Sequence, residues 1–401
     1  MVATSGSKYV YIVDGFRTPT GRPYKKLSNF TAVQLGGLVM REHLDHHKNA
    51  RDKVEEVVWG NVVSAGTGQN CGRQATLLAG LPASVPAYTV DYVCAAGMQS
   101  VILAAQSIMC GERDLVIAGG SESASNCPDL KLKNKEKTVN AGKIDSKQTV
   151  DSLIYDGLWC QLTNRHMGEL CEHIVKEFSI AREEQDRFAF ESHRKACQAY
   201  AQGKFLNEVI PVQISKNVVL QNDERVRKDI DMEALRSLPP AFKIGGSITA
   251  GNSSVPCDGA AAMLLASSKA VEQFGLKPLA RILGHASVAV EPEMVFTATS
   301  ASIKQCLNRV GLGVKDVDLF EISEAFAAQV ILMQKDLKIS DQKLNIWGGD
   351  IAIGHALGAV GARVLITLIH ALRDQNKKIG VASICLGGGG ALAMAVEAVQ
   401  E

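Results

Sequence analysis

Two cysteines and a histidine, each pressed against glycines, carry the chemistry this chain could do: Cys94 in VCAAGMQSV, His355 in IAIGHALGAVGAR and Cys385 in SICLGGGGALA. Cys94 and His355 each stand where an extended segment is expected to turn into a helix. A thiol at a helix N-terminus feels the positive end of the macrodipole and unpaired N–H groups, which favour thiolate and stabilise anions. Glycines let backbone amides come close to a reacting carbonyl. That combination suits acyl transfer through a thioester.

The elements that must hold these residues are legible in the apolar spacing. Behind Cys94, Met98, Val101, Ile102, Ala105, Ile108 and Met109 recur at the three-and-four spacing of a buried helix face. Behind His355, Leu357, Val360, Val364, Leu365, Leu368 and Leu372 do the same. Strand-like runs follow both helices, DLVIAGG after the first and KIGVASICLGGGG after the second. Helix and strand alternation predicts an α/β chain with parallel strands covered by helices. The two segments share a plan: a reactive residue, a helix, a strand and a Gly-rich turn. We read this as an internal duplication.

Composition bounds the rest. At 401 residues the chain can bury a large core in two or more domains. Forty-three basic and forty-two acidic side chains leave a net charge of +1, which gives no bulk attraction to nucleic acid or a membrane surface. No apolar run approaches the roughly 20 residues of a membrane span. The N-terminal MVATSGSKYVYIVDG has neither signal-peptide nor transit-peptide build, and the final EAVQE is no peroxisomal tripeptide. A cytoplasmic protein is expected. Ten cysteines without a CxxC pair read as reduced thiols, with no metal. The His43, His46, His47 cluster is the one metal-like histidine group, and it reads as a solvated surface on a polar helix end or loop.

Residues 124–250 break the pattern. The stretch from Lys131 to Lys147 is highly charged and predicts an exposed excursion, followed by amphipathic helices over roughly 167–178 and 182–202.

The segments in which these residues lie resemble the thiolase family (acetyl-CoA acetyltransferase and 3-ketoacyl-CoA thiolase). The resemblance runs from YIVDGFRTPTGR through VCAAGMQSV, AGGSES, HMGELCE, EEQDRFAFESHRKA, PPAFKIGGSITAGNSS, DLFEISEAFAAQ and the His355 segment to CLGGGGALAMAVE. It implies duplicated βαβαβαββ halves forming a layered α-β-α-β-α core. These would be residues 1–123 plus 251–275 and residues 276–401, with a loop domain inserted over 124–250 that covers the site, binds CoA and serves oligomerisation. It implies acyl-CoA:acetyl-CoA C-acyltransfer, in the first place acetyl-CoA C-acetyltransfer by reversible Claisen condensation and thiolysis. Acetyl-CoA, acyl-CoA and CoA are then substrates, with no further cofactor, in fatty acid metabolism. A homo-oligomer, dimer or tetramer, is implied as well, the charged excursion matching the loop by which many members form tetramers.

The family's roles carry over residue by residue. Cys94 would be the nucleophile and His355 the base that activates it. Cys385 would be the second acid/base, suited by an unperturbed thiol pKa near 8.5. The Gly387 and Cys94 amides would form an oxyanion hole. Leu158, His166 and Met167 would line the pantetheine tunnel, with Arg227 near the adenine or its phosphate. Phe242 would pack on the ligand, Ala250 and Ser254 would flank the pantetheine amides, and Phe326 would line the acyl pocket.

The chain departs from the family at several points. The family's NEAFA becomes Ser323 to Ala327, where the Asn ordinarily holds a water that completes a second oxyanion hole with the histidine; Ser323 would hold it through a single O–H. GHP becomes Gly354-His355-Ala356, the nucleophile turn becomes Cys94-Ala95-Ala96-Gly97, and a Gly- and Pro-rich stretch becomes Phe296 to Thr299. These changes leave three alternatives: a thiolase for longer 3-ketoacyl chains, a related condensing enzyme, and a weakly catalytic binder of CoA esters. Related condensing enzymes do not use a second cysteine as acid/base, and Cys385 argues against them.

Overall fold

The computed structural model describes residues 9–131 and 149–400. Its frame is a mixed sheet of β1 (Val10–Arg17), β2 (Glu56–Gly60), β3 (Ala87–Val90), β4 (Leu115–Ser123), β5 (Asp258–Ser267), β6 (Ala280–Ala289), β7 (Leu319–Ile322), β8 (Ile379–Leu386) and β9 (Gly390–Ala398). Their spatial order is β7-β8-β9-β6-β1-β5-β4-β2-β3. The halves touch where β1 and β6 share the pairs Tyr11↔Arg281 and Ile12↔Ala280, a narrow seam beside the long β6–β9 and β5–β4 ladders. Pairing is parallel for β2 with β3 and β4 and for β7 with β8, as the helix–strand alternation predicts. The strands near the seam pair antiparallel instead.

The duplication is visible in the order of strands, with β6, β7, β8 and β9 repeating β1, β2, β4 and β5. The counterpart of β3 is reduced to one bridge, Phe320↔Leu344. Asn345 explains the loss. Its backbone turns at φ 43, and its side-chain amide takes the Ile322 N–H at 2.7 Å and donates to the Ile322 carbonyl at 2.9 Å. One side chain thus satisfies the groups a longer strand would have paired.

Helices fill three layers. On one outer face α1 (Ala32–His46) and α2 (Cys71–Ala79) pack against Val57, Ile117 and Leu264. On the other, α6 (Ala298–Arg309) and α7 (Ala327–Leu337) cover Phe320, Val381 and Ala395. Between the two half-sheets lie α3 (Ala96–Met109) and α9 (Leu357–Asp374), preceded by the short α8 (Asp350–Ile353). The periodic residues behind His355 are all buried, and so are those behind Cys94 except Met109, which is 42% exposed at the end of α3. This is the α-β-α-β-α layering.

The chain between β4 and β5 carries α4 (Met167–Glu177) and α5 (Arg182–Ala201), each within a residue of its predicted span. It is tied to the sheet by buried Arg17, whose guanidinium meets Glu208 and Asp223 at 2.7 Å each. The charged excursion lies outside the described residues, apart from Lys131. Among the described residues, no helix is long and apolar enough to cross a membrane, and no group of histidine, cysteine and carboxylate side chains could hold a metal. The histidine cluster corrects the surface reading in part. His43 is buried, with Nε2 3.0 Å from the Ala262 carbonyl, and burial pushes its pKa down to about 4. His46 and His47 lie beside Asp14. The Phe16 ring draws His43 inward, which a polar neighbourhood in sequence does not reveal.

Candidate active site

Cys94 is half-buried, two residues before the first residue of α3. The preceding Val93 sits at φ 47, a region that β-branched residues avoid at a cost of about 1–3 kcal/mol. Asp91 holds this turn by accepting the Val93 N–H at 2.9 Å, and the Ala95 and Ala96 amides close it on Tyr92 and Val93 carbonyls. The strained turn lifts the thiol off the helix axis.

His355 enters from the other half. Its N–H donates to the Val255 carbonyl at 3.0 Å and its own carbonyl accepts from Cys257 at 3.1 Å, so a strand-like segment pins its backbone. On one side the imidazole borders the same cavity as the Cys94 thiol. On the other, Nδ1 is 3.2 Å from Asp350 Oδ2. Asp350 also accepts from the Ser323 hydroxyl at 2.5 Å and the Glu324 N–H at 3.0 Å, and it pairs with Arg363. Burial disfavours a charged imidazole, but Asp350 and Cys94 push His355 up to about 10. Burial likewise works against ionised Asp350, yet Arg363, His355 and Ser323 hold it down at about 2. With a pKa of about 10, His355 is protonated at neutral pH.

Cys385 lies at the end of β8, opposite Ala391 of β9, and is buried. Gly388 and Gly389 turn the hairpin at φ 89 and φ 100, which only glycine adopts without strain. That tight turn sets Gly387 against Val93 and Met167, next to the nucleophile. Burial, reinforced by the charge of Cys94, pushes the Cys385 thiol well up, so it rests protonated.

Cys94, His355, Cys385 and Gly387 converge on one cavity of about 260 Å³. Leu158, His166, Met167, Phe242, Ala250, Ser254 and Phe326 line it as well. The His166 ring stacks on Phe242 at 4.9 Å, Phe326 meets Phe242 edge-on at 6.0 Å, and Phe296 meets Phe326 edge-on at 5.4 Å. The wall is largely apolar, and the reactive groups border it. Phe296, which the sequence analysis treated only as part of a departure, is one of its walls; an aromatic just before α6 was the signal for it.

Two residues fall outside this cavity. Arg227 is exposed, with Nε 3.5 Å from Asp229. Ser323 is fully buried, and its hydroxyl is given to Asp350, so the expected direct hold on a pocket water is not what its geometry serves. The sequence analysis did not single out Asp350. Its signal was an acid five residues before a reactive histidine, with one helical turn and a glycine between them.

An apolar cavity bordered by two thiols and an imidazole suits acyl thioesters. The family comparison agrees with it: residues 10–269 match the thiolase N-terminal domain and residues 276–398 the thiolase C-terminal domain, and the chain belongs to the thiolase family. It is 39% identical to a probable acetyl-CoA acetyltransferase of Escherichia coli, covering 97% of this chain and 99% of the relative. It is also 39% identical to an acetyl-CoA acetyltransferase of Cupriavidus necator, with the same coverage. Among solved structures, the Bacillus anthracis acetyl-CoA acetyltransferase superposes with a TM-score of 0.93 at 34% identity, over 99% of this chain and all of that one. A thiolase from Ascaris suum in complex with coenzyme A gives 0.89 at 39% identity, over 98% of this chain and all of that one.

Proposed function

We propose that the protein is an acetyl-CoA C-acetyltransferase that joins two acetyl-CoA molecules and reverses the reaction by thiolysis. The observation that carries this reading is the convergence of Cys94, His355 and Cys385 on one apolar cavity.

In condensation, the Cys94 thiolate attacks the acetyl-CoA carbonyl. The new C–S bond to Cys94 forms as the bond to CoA sulfur breaks. The oxyanion of the tetrahedral intermediate is held by the Cys94 and Gly387 amides. The departing CoA thiolate takes the Cys385 proton and leaves as CoA. Cys385, now a thiolate, removes a methyl proton from a second acetyl-CoA. The carbanion attacks the acetyl group on Cys94, acetoacetyl-CoA forms, and the Cys94 thiolate beside protonated His355 is restored. Every proton is accounted for, and a Cys385 thiol that rests protonated can supply the one the departing CoA takes. Thiolysis runs the same steps backwards.

Leu158, His166, Met167, Phe242, Ala250 and Ser254 would hold the pantetheine arm, and Arg227, outside the cavity, would meet the nucleotide end of CoA. Residues 124–250 would serve as the CoA-holding unit. A cavity of this size with Phe296 and Phe326 at its walls favours a short acyl group. The wild-type protein should cleave acetoacetyl-CoA in the presence of CoA, read as loss of enolate absorbance. Acetyl-CoA alone should leave an acetyl mass on Cys94; acetylation of a different cysteine would sink the assignment.

A further inference from the structure

We infer that Asp350 is a positioning residue that makes Cys94, His355 and Asp350 a buried triad, with Ser323 orienting the carboxylate. The inference rests on the acyl-transfer reading of the site and adds to it a determinant of how the histidine works.

The geometry is specific. Oδ2 of Asp350 faces Nδ1 of His355 at 3.2 Å, which leaves the other ring nitrogen for Cys94. The same oxygen is fixed by the Ser323 hydroxyl at 2.5 Å and the Glu324 amide at 3.0 Å, while Oδ1 pairs with Arg363. The carboxylate that faces the imidazole is therefore fixed before substrate arrives. A carboxylate that fixes one ring nitrogen sets the tautomer and stabilises the imidazolium.

The surroundings assign the charge. Facing His355 are Asp350 from α8 and Cys94 from the turn before α3, with Cys385 of β8 on the same cavity; behind Asp350 stand Arg363 of α9, Glu321 of β7 and Glu324. Arg363 also binds Glu321 at 2.7 Å. Burial pushes Glu321 up to about 8 and Glu324 upward as well. Asp350, held down at about 2, is an anion at neutral pH. Arg363 and His355 flank this buried carboxylate, one at each oxygen.

This arrangement gives Ser323 a purpose. Where the family resemblance implies an Asn-held water as one of two donors to a thioester oxygen, this chain commits the residue to Asp350. A charged imidazole donates a hydrogen bond roughly twice as strong as a neutral one. The imidazolium held by Asp350 offsets the donor that Ser323 does not supply.

The test is the pH profile of Cys94 alkylation by iodoacetamide, mapped by mass spectrometry, in the full-length protein. The wild-type rate should be nearly flat from neutral pH to about 9, within the window set by His355. Asp350→Asn should lower the rate at pH 7 by roughly 10²-fold and shift the rise with pH, since the opposite charge beside His355 is worth about 1–3 pH units. Asp350→Glu should restore part of the profile. A folded Asp350→Asn protein with the wild-type rate and profile overturns the proposal. If that variant does not fold, nitrogen-15 histidine NMR of the wild type decides: His355 protonated on both ring nitrogens at pH 8 supports the triad, and a neutral ring overturns it. Failure of acetyl-CoA to acetylate wild-type Cys94 would instead sink the acyltransferase reading, leaving the alkylation profile as an independent measure of the triad.

Discussion

A methyl group on Gly97 would stand 2.8 Å from the carbonyl oxygen of Gly358, so the first turns of α3 and α9 meet backbone to backbone. Gly361 repeats the approach, where an added methyl would meet the Met98 nitrogen at 2.5 Å. The buried Glu122 carboxylate stitches the same junction, accepting the Gly358 N–H at 3.1 Å and the Val62 N–H at 3.1 Å. The crossing sets the distance between the Cys94 turn and the His355 segment.

Gly97→Ala should therefore push the helices apart. Overpacking of this kind costs about 1–3 kcal/mol, which thermal unfolding should register. Thiolysis should fall further than stability alone explains, because the Cys94–His355 contact lengthens. A stable variant with full activity would show that the crossing does not set that contact.

Cys385→Ala should separate the half-reactions. Acetylation of Cys94 should persist, whereas exchange of the acetyl-CoA methyl protons with solvent should drop by about 10²–10⁴-fold, the usual worth of a general acid–base group. Proton NMR of acetyl-CoA in heavy water reads the exchange. Undiminished exchange would move the proton-transfer role away from Cys385.

The pH dependence of stability has two signs. His355 rises from 6.5 to about 10 on folding, so its contribution is full below about 6.5 and is lost as pH climbs through 10. Asp350 falls from 3.8 to about 2, so its contribution is full above 3.8 and is lost as pH drops through 2. Glu122 and Glu321, raised by burial to about 7 and about 8, also lose stability as pH rises. The His355 share is isolated by subtracting a His355→Gln variant: the difference in urea midpoint should shrink from pH 7 to pH 10. A difference that grows over that range contradicts the raised value.

Ser323→Asn, which would restore the residue implied by the family resemblance, should not raise thiolysis. The site is fully buried and its hydroxyl already serves Asp350, so the larger side chain should cost about 1–3 kcal/mol through overpacking. Denaturant unfolding and the acetoacetyl-CoA assay measure both effects. A clear gain in rate would mean that Ser323 does work by holding a water, as the sequence suggested.

Much of the site was legible because its signals are local. The reactive residues stand at breaks in hydrophobic period, and the two long helices announce their buried faces over four or five turns. The same reasoning reached α4 and α5 within a residue. The resemblance implied two matching halves, and in the second the side chain of Asn345 takes the groups that a counterpart of β3 would pair. It also placed His43 with its polar neighbours, when the Phe16 ring and the Ala262 carbonyl hold that residue in the core.

By itself the sequence determined the fold class and the two pivotal helices, and it singled out Cys94, His355 and Cys385, because backbone turns and helix faces are written in residue order. Tertiary structure decided which groups those residues address. Asp350 reaches His355 only because α8 turns back through Gly354, and Arg363 reaches Asp350 only because α9 lies buried between the half-sheets. Ser323 donates to that carboxylate because the end of β7 is brought against α8. Charge and hydrogen bonding fall steeply with distance and burial amplifies them, so the side chains that set the state of His355 are settled by packing across the two halves rather than by spacing along the chain.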